Sequence, residues 1–327
     1  MPLNSNGSEI LKRSSNNPIL IPNKNNWWES EAVFNCAILY DGKRIHMLYR
    51  AIGEYEHYFS RIGYASSDDG YVFRRRNGVA INPILDYEKF GIEDPRLTEI
   101  DNQVYITYVV LPDRPKKGPM VSTALATTLD YSRFDRLGII TSEGTDNKDV
   151  VLFPTKLRSK NNLSIKNMKY FCLHRPSSWV GGTYGIDKPS IWIGEGNTLT
   201  KFETHTLLMK PEQKWEELKI GAGSPPIRTK YGWLVIYHGV SANKTYSAGA
   251  ALLDLEDPYK ILCRSKEPIL VPTEQYEKYG DVSNVVFPTG ACIIDEEILV
   301  YYGGADKVCC VATAKIDEFV DYLFQNN

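Results

Sequence analysis

No run of 18 apolar residues occurs anywhere in this chain of 327 residues, so no membrane-spanning helix is expected. The first stretch, MPLNSNGSEILKRSSNN, has no apolar core of the kind a secretory signal needs, and a cytoplasmic location is expected. Long runs of one charge are also missing. The 38 basic and 40 acidic residues leave a formal net charge of −2, which makes nucleic acid and anionic membrane poor partners. The six cysteines, Cys36, Cys172, Cys263, Cys292, Cys309 and Cys310, show no CxxC spacing. All but Cys263 lie in apolar strand-like runs, so reduced core thiols are expected. His46, His57 and His205 have no metal-ligand spacing, and no metal site is expected. There is no glycine-rich phosphate loop either.

Aromatic residues are abundant: 21 Tyr, 11 Phe and 6 Trp. They suit β-sheet and also sugar binding. Many fall in a pattern that returns five times. An apolar strand ends in HMLYRA, VYITYVV, FCLHRP, LVIYHGV or LVYYGGAD, a loop follows, and a new strand begins. The corresponding positions are Tyr49, Tyr108, His174, Tyr237 and Tyr301. A repeat of some sixty residues built only from strands predicts a closed ring of small sheets. The expected fold is all-β, a single-domain five-bladed β-propeller. Its blades fall at roughly 31–75, 91–136, 148–204, 217–262 and 281–315. NPILIP, NPILDYEKFG and EPILVPTEQYEKYG read as segments leading into the next repeat, and a fourth, outer strand per blade is less legible. Ile316, Phe319, Val320, Leu323 and Phe324 share one helical face, so a short C-terminal helix is expected at about 315–325. The loops at 52–60, 111–120 and 177–189 are candidates for functional work.

The first strand of each blade lines the central channel, where a polar side chain is costly unless used. Asn35 lies 14 residues before Tyr49, and Asp94 lies 14 before Tyr108, so they hold the same place in neighbouring blades. Asp94 reads equally as a turn residue before Pro95 paired with Arg96, or as an active acid, and adjacent Glu93 is a rival for that role. Arg50, Arg175 and His238 follow the repeated strand ends, and Lys219 opens the fourth first strand. Singly, each reads as a strand-end cation. Together they suggest an oxyanion site, for phosphate or for a substrate carboxylate. Asp306 is either a turn residue capping its own backbone or an acceptor for a sugar hydroxyl.

The stretches FGIEDPRL, VLFPTKL, LHRPS, WEELKIGAGSPPI, GWLVIYHGV, SAGAALLDLEDPYKIL and VVFPTGA…VYYGGAD resemble glycoside hydrolase family 130 from about Asn17 to the C-terminus. That resemblance implies a five-bladed propeller acting chiefly as a β-mannoside phosphorylase. It implies Asp94 as proton donor, with the proton passing through a mannose hydroxyl. It implies Arg175, Lys219 and His238, with Tyr237 in the same motif, at phosphate. It places Asn35, Arg50, Asp306 and Arg96 around the mannosyl unit. The implied reaction is reversible, inverting phosphorolysis of a β-mannoside to α-mannose 1-phosphate and a shortened acceptor. An ordinary inverting glycosidase needs an acid and a base. Phosphate is already an anion, so one acid and a cationic cradle suffice. The partners implied are a mannose-containing oligosaccharide and inorganic phosphate as co-substrate, with no cofactor. The linkage, β-1,4 or β-1,2, stays open, and so does a homo-oligomer in which a neighbouring subunit walls the acceptor site. The alternatives are an inverting β-mannosidase with Glu195 or Glu217 as base, a non-catalytic sugar-binding propeller, and a mannosyltransferase with a sugar phosphate or sugar nucleotide as donor.

Overall fold

The structure is a computed structural model and describes residues 10–112, 121–142, 144–159 and 168–327. Most of the candidate loop at 111–120 therefore lies outside the described residues. Five antiparallel sheets follow one another along the chain. Blade 1 runs Ala32–Tyr40, Ile45–Ile52, Ser60–Ser67 and Arg74–Arg75. Blade 2 runs Ile92–Ile100, Gln103–Val110, Ser122–Thr128 and Asp135–Ile139. Blade 3 has Asn147–Leu152, Met168–Pro176, Ile191–Gly196 and Thr204–Met209. Blade 4 has Lys219–Ala222, Trp233–Val240, Tyr246–Leu253 and Ile261–Arg264. These are rich in β-branched and aromatic residues, and tight turns such as Asp101-Asn102 join them, both residues with φ above +50°.

Blade 5 has three consecutive strands, Val286–Ile294, Glu297–Gly304 and Val308–Lys315. Its fourth strand comes from the other end of the chain. Lys12–Arg13 pairs antiparallel with the last strand, Arg13 opposite Ala312. The N-terminus thus closes the ring and covers what would be a free edge. The sequence reading did not anticipate this closing strand.

A buried clamp recurs in four blades. The second-strand tyrosine donates to a fully buried glutamate in the segment leading into the ring. Tyr49 reaches Glu29 at 2.7 Å, Tyr108 reaches Glu88 at 2.8 Å, Tyr237 reaches Glu216 at 2.7 Å and Tyr302 reaches Glu277 at 2.8 Å. An outer-strand arginine grips each glutamate: Arg75, Arg136, Arg264 and Arg13. Glu88, Glu216 and Glu277, each in a short helix, also accept backbone N–H groups from the two residues just before it: Ile84 and Leu85, Glu212 and Gln213, Thr273 and Glu274. Two sequence expectations change here. Blade 5 uses Tyr302 rather than Tyr301, whose hydroxyl instead donates to the Gly70 carbonyl at 3.0 Å. Blade 3 has no such clamp at His174, which meets His205 at 2.9 Å and Asn147 at 3.1 Å.

The C-terminal helix, Ile316–Gln325, buries Ile316, Phe319, Val320, Tyr322 and Leu323. Phe324, expected on that face, is half exposed, and Tyr322 takes the buried place. All six cysteines are buried and free. Among the described residues no helix is long and apolar enough to cross a membrane.

Candidate active site

The first strands of blades 1, 2 and 3 break register at the same place. Pairing skips between Phe34 and Ala37, between Glu93 and Arg96, and between Lys148 and Val151. Inside each break sits a non-glycine residue in the left-handed region: Asn35 at φ 49°, Asp94 at 45° and Asp149 at 58°. Each such residue costs on the order of 1–3 kcal/mol, strain of a kind that clusters at functional sites. The bulges gather these short polar side chains. Asn35 Nδ2 donates to Asp94 Oδ1 at 2.7 Å. All three residues are buried.

Cations surround Asp94. Lys148 Nζ lies 3.0 Å from Oδ2, and Arg50 Nη1 lies 3.4 Å from Oδ1. Burial alone would raise the Asp94 carboxyl. Lys148, Arg50, Arg96 and the Asn35 hydrogen bond outweigh it and hold the group well below the usual carboxylate range. Glu93, the rival acid, is tied to Arg50 Nη2 at 2.5 Å. Arg50 itself lies between the rings of Phe34 and Tyr58.

A second carboxylate stands among the remaining basic groups. Asp149 Oδ2 accepts from Arg175 Nε at 2.8 Å, and His238 Nε2 lies 3.8 Å from the same oxygen. Arg175 Nη1 donates to Ser177 Oγ at 2.8 Å. Burial pushes His238 well below the ordinary histidine range despite Asp149, so it is a neutral imidazole at pH 7. Lys219 Nζ lies 5.3 Å from the centre of the Tyr246 ring. Burial, then Arg175 and Lys148, lower its ammonium to about 8. Asp306, half-buried, is raised by burial to about 7, with Arg50 and Lys148 opposing and Asp94 adding to the rise. Lys148, Arg175, Ser177 and Lys219 line one cavity of about 600 Å³. Its other walls include Tyr58, Phe59, Phe90 and Glu93.

The structure therefore brings together Asn35, Arg50, Asp94, Arg175, Lys219, His238 and Asp306. It does not bring Tyr237 to this group. Successive strand residues face opposite sides, so the neighbour of His238 points into the blade, where it stacks on Trp215 and meets Glu216 and Arg264. Arg96 is also placed otherwise. Its Nε donates to the Gly223 carbonyl, and Nη1 to the carbonyls of Asp94 and Pro95 at 2.9 and 3.0 Å. It braces the Asp94 bulge from the main-chain side and makes no contact with the Asp94 carboxylate. Neither Glu195 nor Glu217 lines the cavity, and Glu195 accepts from Ser159 at 3.1 Å. Lys148 and Asp149 were missed. They occupy the bulge positions that Glu93 and Asp94 hold one blade earlier, an equivalence that the strand register reveals and the spacing in sequence does not. Among the described residues no group of three or more His, Cys, Asp or Glu could hold a metal ion.

Solved structures that superpose on this five-bladed propeller include carbohydrate-processing enzymes, and its own cavity sets Lys148, Arg175 and Lys219 among the acids Glu56, Glu93 and Asp146. The chain belongs to glycoside hydrolase family 130, whose description, beta-1,4-mannooligosaccharide phosphorylase, matches residues 6–325. It is 40% identical over 314 residues to a 1,2-beta-oligomannan phosphorylase of Thermoanaerobacter sp., covering 94% of this chain and 98% of that one. It is 38% identical to a beta-1,2-mannobiose phosphorylase of the same organism, covering 92% and 96%. Among solved structures, the beta-1,2-mannobiose phosphorylase of Listeria innocua in complex with beta-1,2-mannobiose superposes with a TM-score of 0.82 at 28% identity. That match covers 96% of this chain and 99% of the other.

Proposed function

We propose that the protein is an inverting glycoside phosphorylase. It cleaves a β-mannoside with inorganic phosphate, giving α-mannose 1-phosphate and a shortened acceptor. One observation carries this reading. The Asp94 carboxylate and the cavity cations Arg175 and Lys219 are joined through a single residue, Lys148, which touches the first and lines the cavity with the others. Phosphate held by Lys148, Arg175 and Lys219 sits close to a carboxyl that serves the leaving oxygen. The C1–oxygen bond to the acceptor breaks as a phosphate oxygen bonds to C1 from the opposite face, and the leaving oxygen takes a proton that originates on Asp94.

Asp94 must be protonated to act as the acid, yet Lys148 and Arg50 hold it ionised. Bound phosphate brings at least one negative charge beside Lys148 and offsets that hold. This favours phosphorolysis over hydrolysis, because water brings no charge. Sugar hydroxyls fall to Asn35, Arg50 and Asp306. With its carboxyl near 7, Asp306 can donate as well as accept.

For the linkage we favour β-1,2. The relatives at 40% and 38% identity bear β-1,2 names, whereas one named for β-1,4 activity stands at 34% over 70% of the chain. A cytoplasmic location is part of the same reading. The test is synthesis in reverse. The enzyme is given mannose 1-phosphate and a panel of mannose, glucose and N-acetylglucosamine acceptors, and the product linkage is read. A β-1,2-linked mannoside is expected. Release of free mannose from a mannoside at the same rate with and without phosphate would replace this reading by a β-mannosidase.

A further inference from the structure

Within the site just described, Asp149 is the residue whose presence is hardest to explain. An acid amid Arg175, Lys148, Lys219 and His238 weakens the attraction for an anion. Its backbone is strained at φ 58°, and the side chain is fully buried. The adjoining strand makes room for it. A Cβ on Gly221 would lie 2.3 Å from Asp149 Oδ2 and 2.5 Å from His238 Cε1, so only glycine allows the approach of the carboxylate to Arg175 and the imidazole. Bulge, glycine and carboxylate are matched to one another across two blades.

We propose that Asp149 is a positioning residue of the phosphate cradle. It grips Arg175 by Nε, which turns the guanidinium so that its other edge faces Ser177 and the cavity. It faces Nε2 of His238 and favours the tautomer protonated there. Its charge lets Lys148, Arg175 and Lys219 stand close together before an anion arrives. Asp149 does not line the cavity, so it acts through its neighbours. Preorganised cations lose less freedom when they bind a ligand, and that gain appears mainly in phosphate affinity.

The inference rests on the phosphorylase reading and is tested by Asp149→Asn, which keeps the shape and removes the charge. The Michaelis constant for phosphate is expected to rise at least tenfold, while that for the mannoside stays within twofold. A pH series adds a readout that a merely structural role would not move. Lys219 is surrounded by Arg175, Lys148, Asp149, Asp306 and the Tyr246 ring, and Asp149 helps keep it protonated. In Asp149→Asn the alkaline rise of the phosphate constant should therefore begin at lower pH than in the wild type. Gly221→Ala, which pushes the carboxylate off Arg175, should give the same split by a different route, and it decides the matter if Asp149→Asn fails to fold. A folded variant with an unchanged phosphate constant, or with both constants raised equally, overturns the proposal. If the wild type turns over no mannoside, the phosphorylase reading falls, and phosphate-induced thermal stabilisation still tests Asp149. Wild-type protein should be stabilised by inorganic phosphate and Asp149→Asn should not. Equal stabilisation of the two would overturn the role given to Asp149.

Discussion

Lys148 Nζ lies 3.0 Å from Asp94 Oδ2, while the ladder partner of Lys148 on the neighbouring strand is Arg175. One residue thus spans the two halves of the chemistry. A carboxyl next to a permanent cation stays ionised and has no proton to give until that cation finds another anion. On the proposed reading, the protonation of Asp94 follows occupancy of the cavity through Lys148.

Asp94→Asn should fold and lose most of its turnover. Asn keeps the side-chain shape and the hydrogen bond with Asn35, and the bulge tolerates Asn, as position 35 shows. General acid help is worth about 10²–10⁴ in rate, so kcat should fall by that factor in steady-state assays. A variant that retains near wild-type kcat would remove Asp94 from the mechanism.

Acid should destabilise the protein through the channel carboxylates. Asp94 and Asp149 both stand well below their ordinary value of 3.8. A group depressed in the folded state contributes stability above its unfolded pKa and loses it as pH falls toward its folded pKa. Denaturant midpoints should therefore drop from about pH 4 downward as this contribution is lost, on top of the slope that raised Asp306 and neutral His238 impose between about 4 and 7. In Asp149→Asn that drop should be smaller. An identical acid limb in variant and wild type would show that Asp149 is not depressed.

Lys219 gives the opposite limb. Its ammonium is lowered to about 8, so it is charged at pH 7 and neutral well above 8. The phosphate constant should rise as pH passes through about 8. Lys219→Ala at pH 7 should raise that constant much more than the constant for the mannoside. Equal effects on both would make Lys219 structural.

The propeller and half of its site were legible because blades repeat. Asn35 and Asp94 stand at one offset, 14 residues, from Tyr49 and Tyr108. Asp149 escaped that search because blade 3 carries extra residues between its first and second strands. The same offset measured from His174 is 25 residues (174 − 149). Only the bulge, visible in three dimensions, restores the equivalence. Tyr301 and Tyr302 were confused for another reason. Two adjacent tyrosines satisfy the same strand pattern, and only pairing register says which faces the clamp. The closing strand is two residues long and lies nearly three hundred residues from its partner in sequence. No local pattern can announce that.

Tyr237→Phe separates clamp from cradle. The hydroxyl gives a buried hydrogen bond to the Glu216 carboxyl, a bond whose loss costs about 1–3 kcal/mol, and Arg264 also donates to the hydroxyl at 3.1 Å. The variant should lose about 2 kcal/mol of stability, read from denaturant midpoints, because such a bond goes while Glu216 keeps Arg264. Its phosphate constant should match the wild type. A rise in that constant comparable with the rise in His238→Ala would return Tyr237 to the phosphate site.

Arg13→Ala should open the ring. Arg13 Nε meets Glu277 Oε1 at 2.8 Å, and Nη2 meets Oε2 at 3.0 Å and the Val271 carbonyl at 2.6 Å. Glu277 has no exposed side-chain surface, so losing its arginine leaves a buried charge without its cation. Breaking a buried pair in this way costs about 3–5 kcal/mol, and the low end applies because Tyr302, Thr273 and Glu274 still donate to Glu277. Against a typical domain stability of about 5–15 kcal/mol that loss is large. The urea midpoint should fall, with hydrogen exchange accelerating first in Val308–Lys315, the strand that Lys12–Arg13 covers. A loss of about 0.5 kcal/mol or less would mean that the pair behaves as an exposed one and that the N-terminal strand does not hold the ring shut.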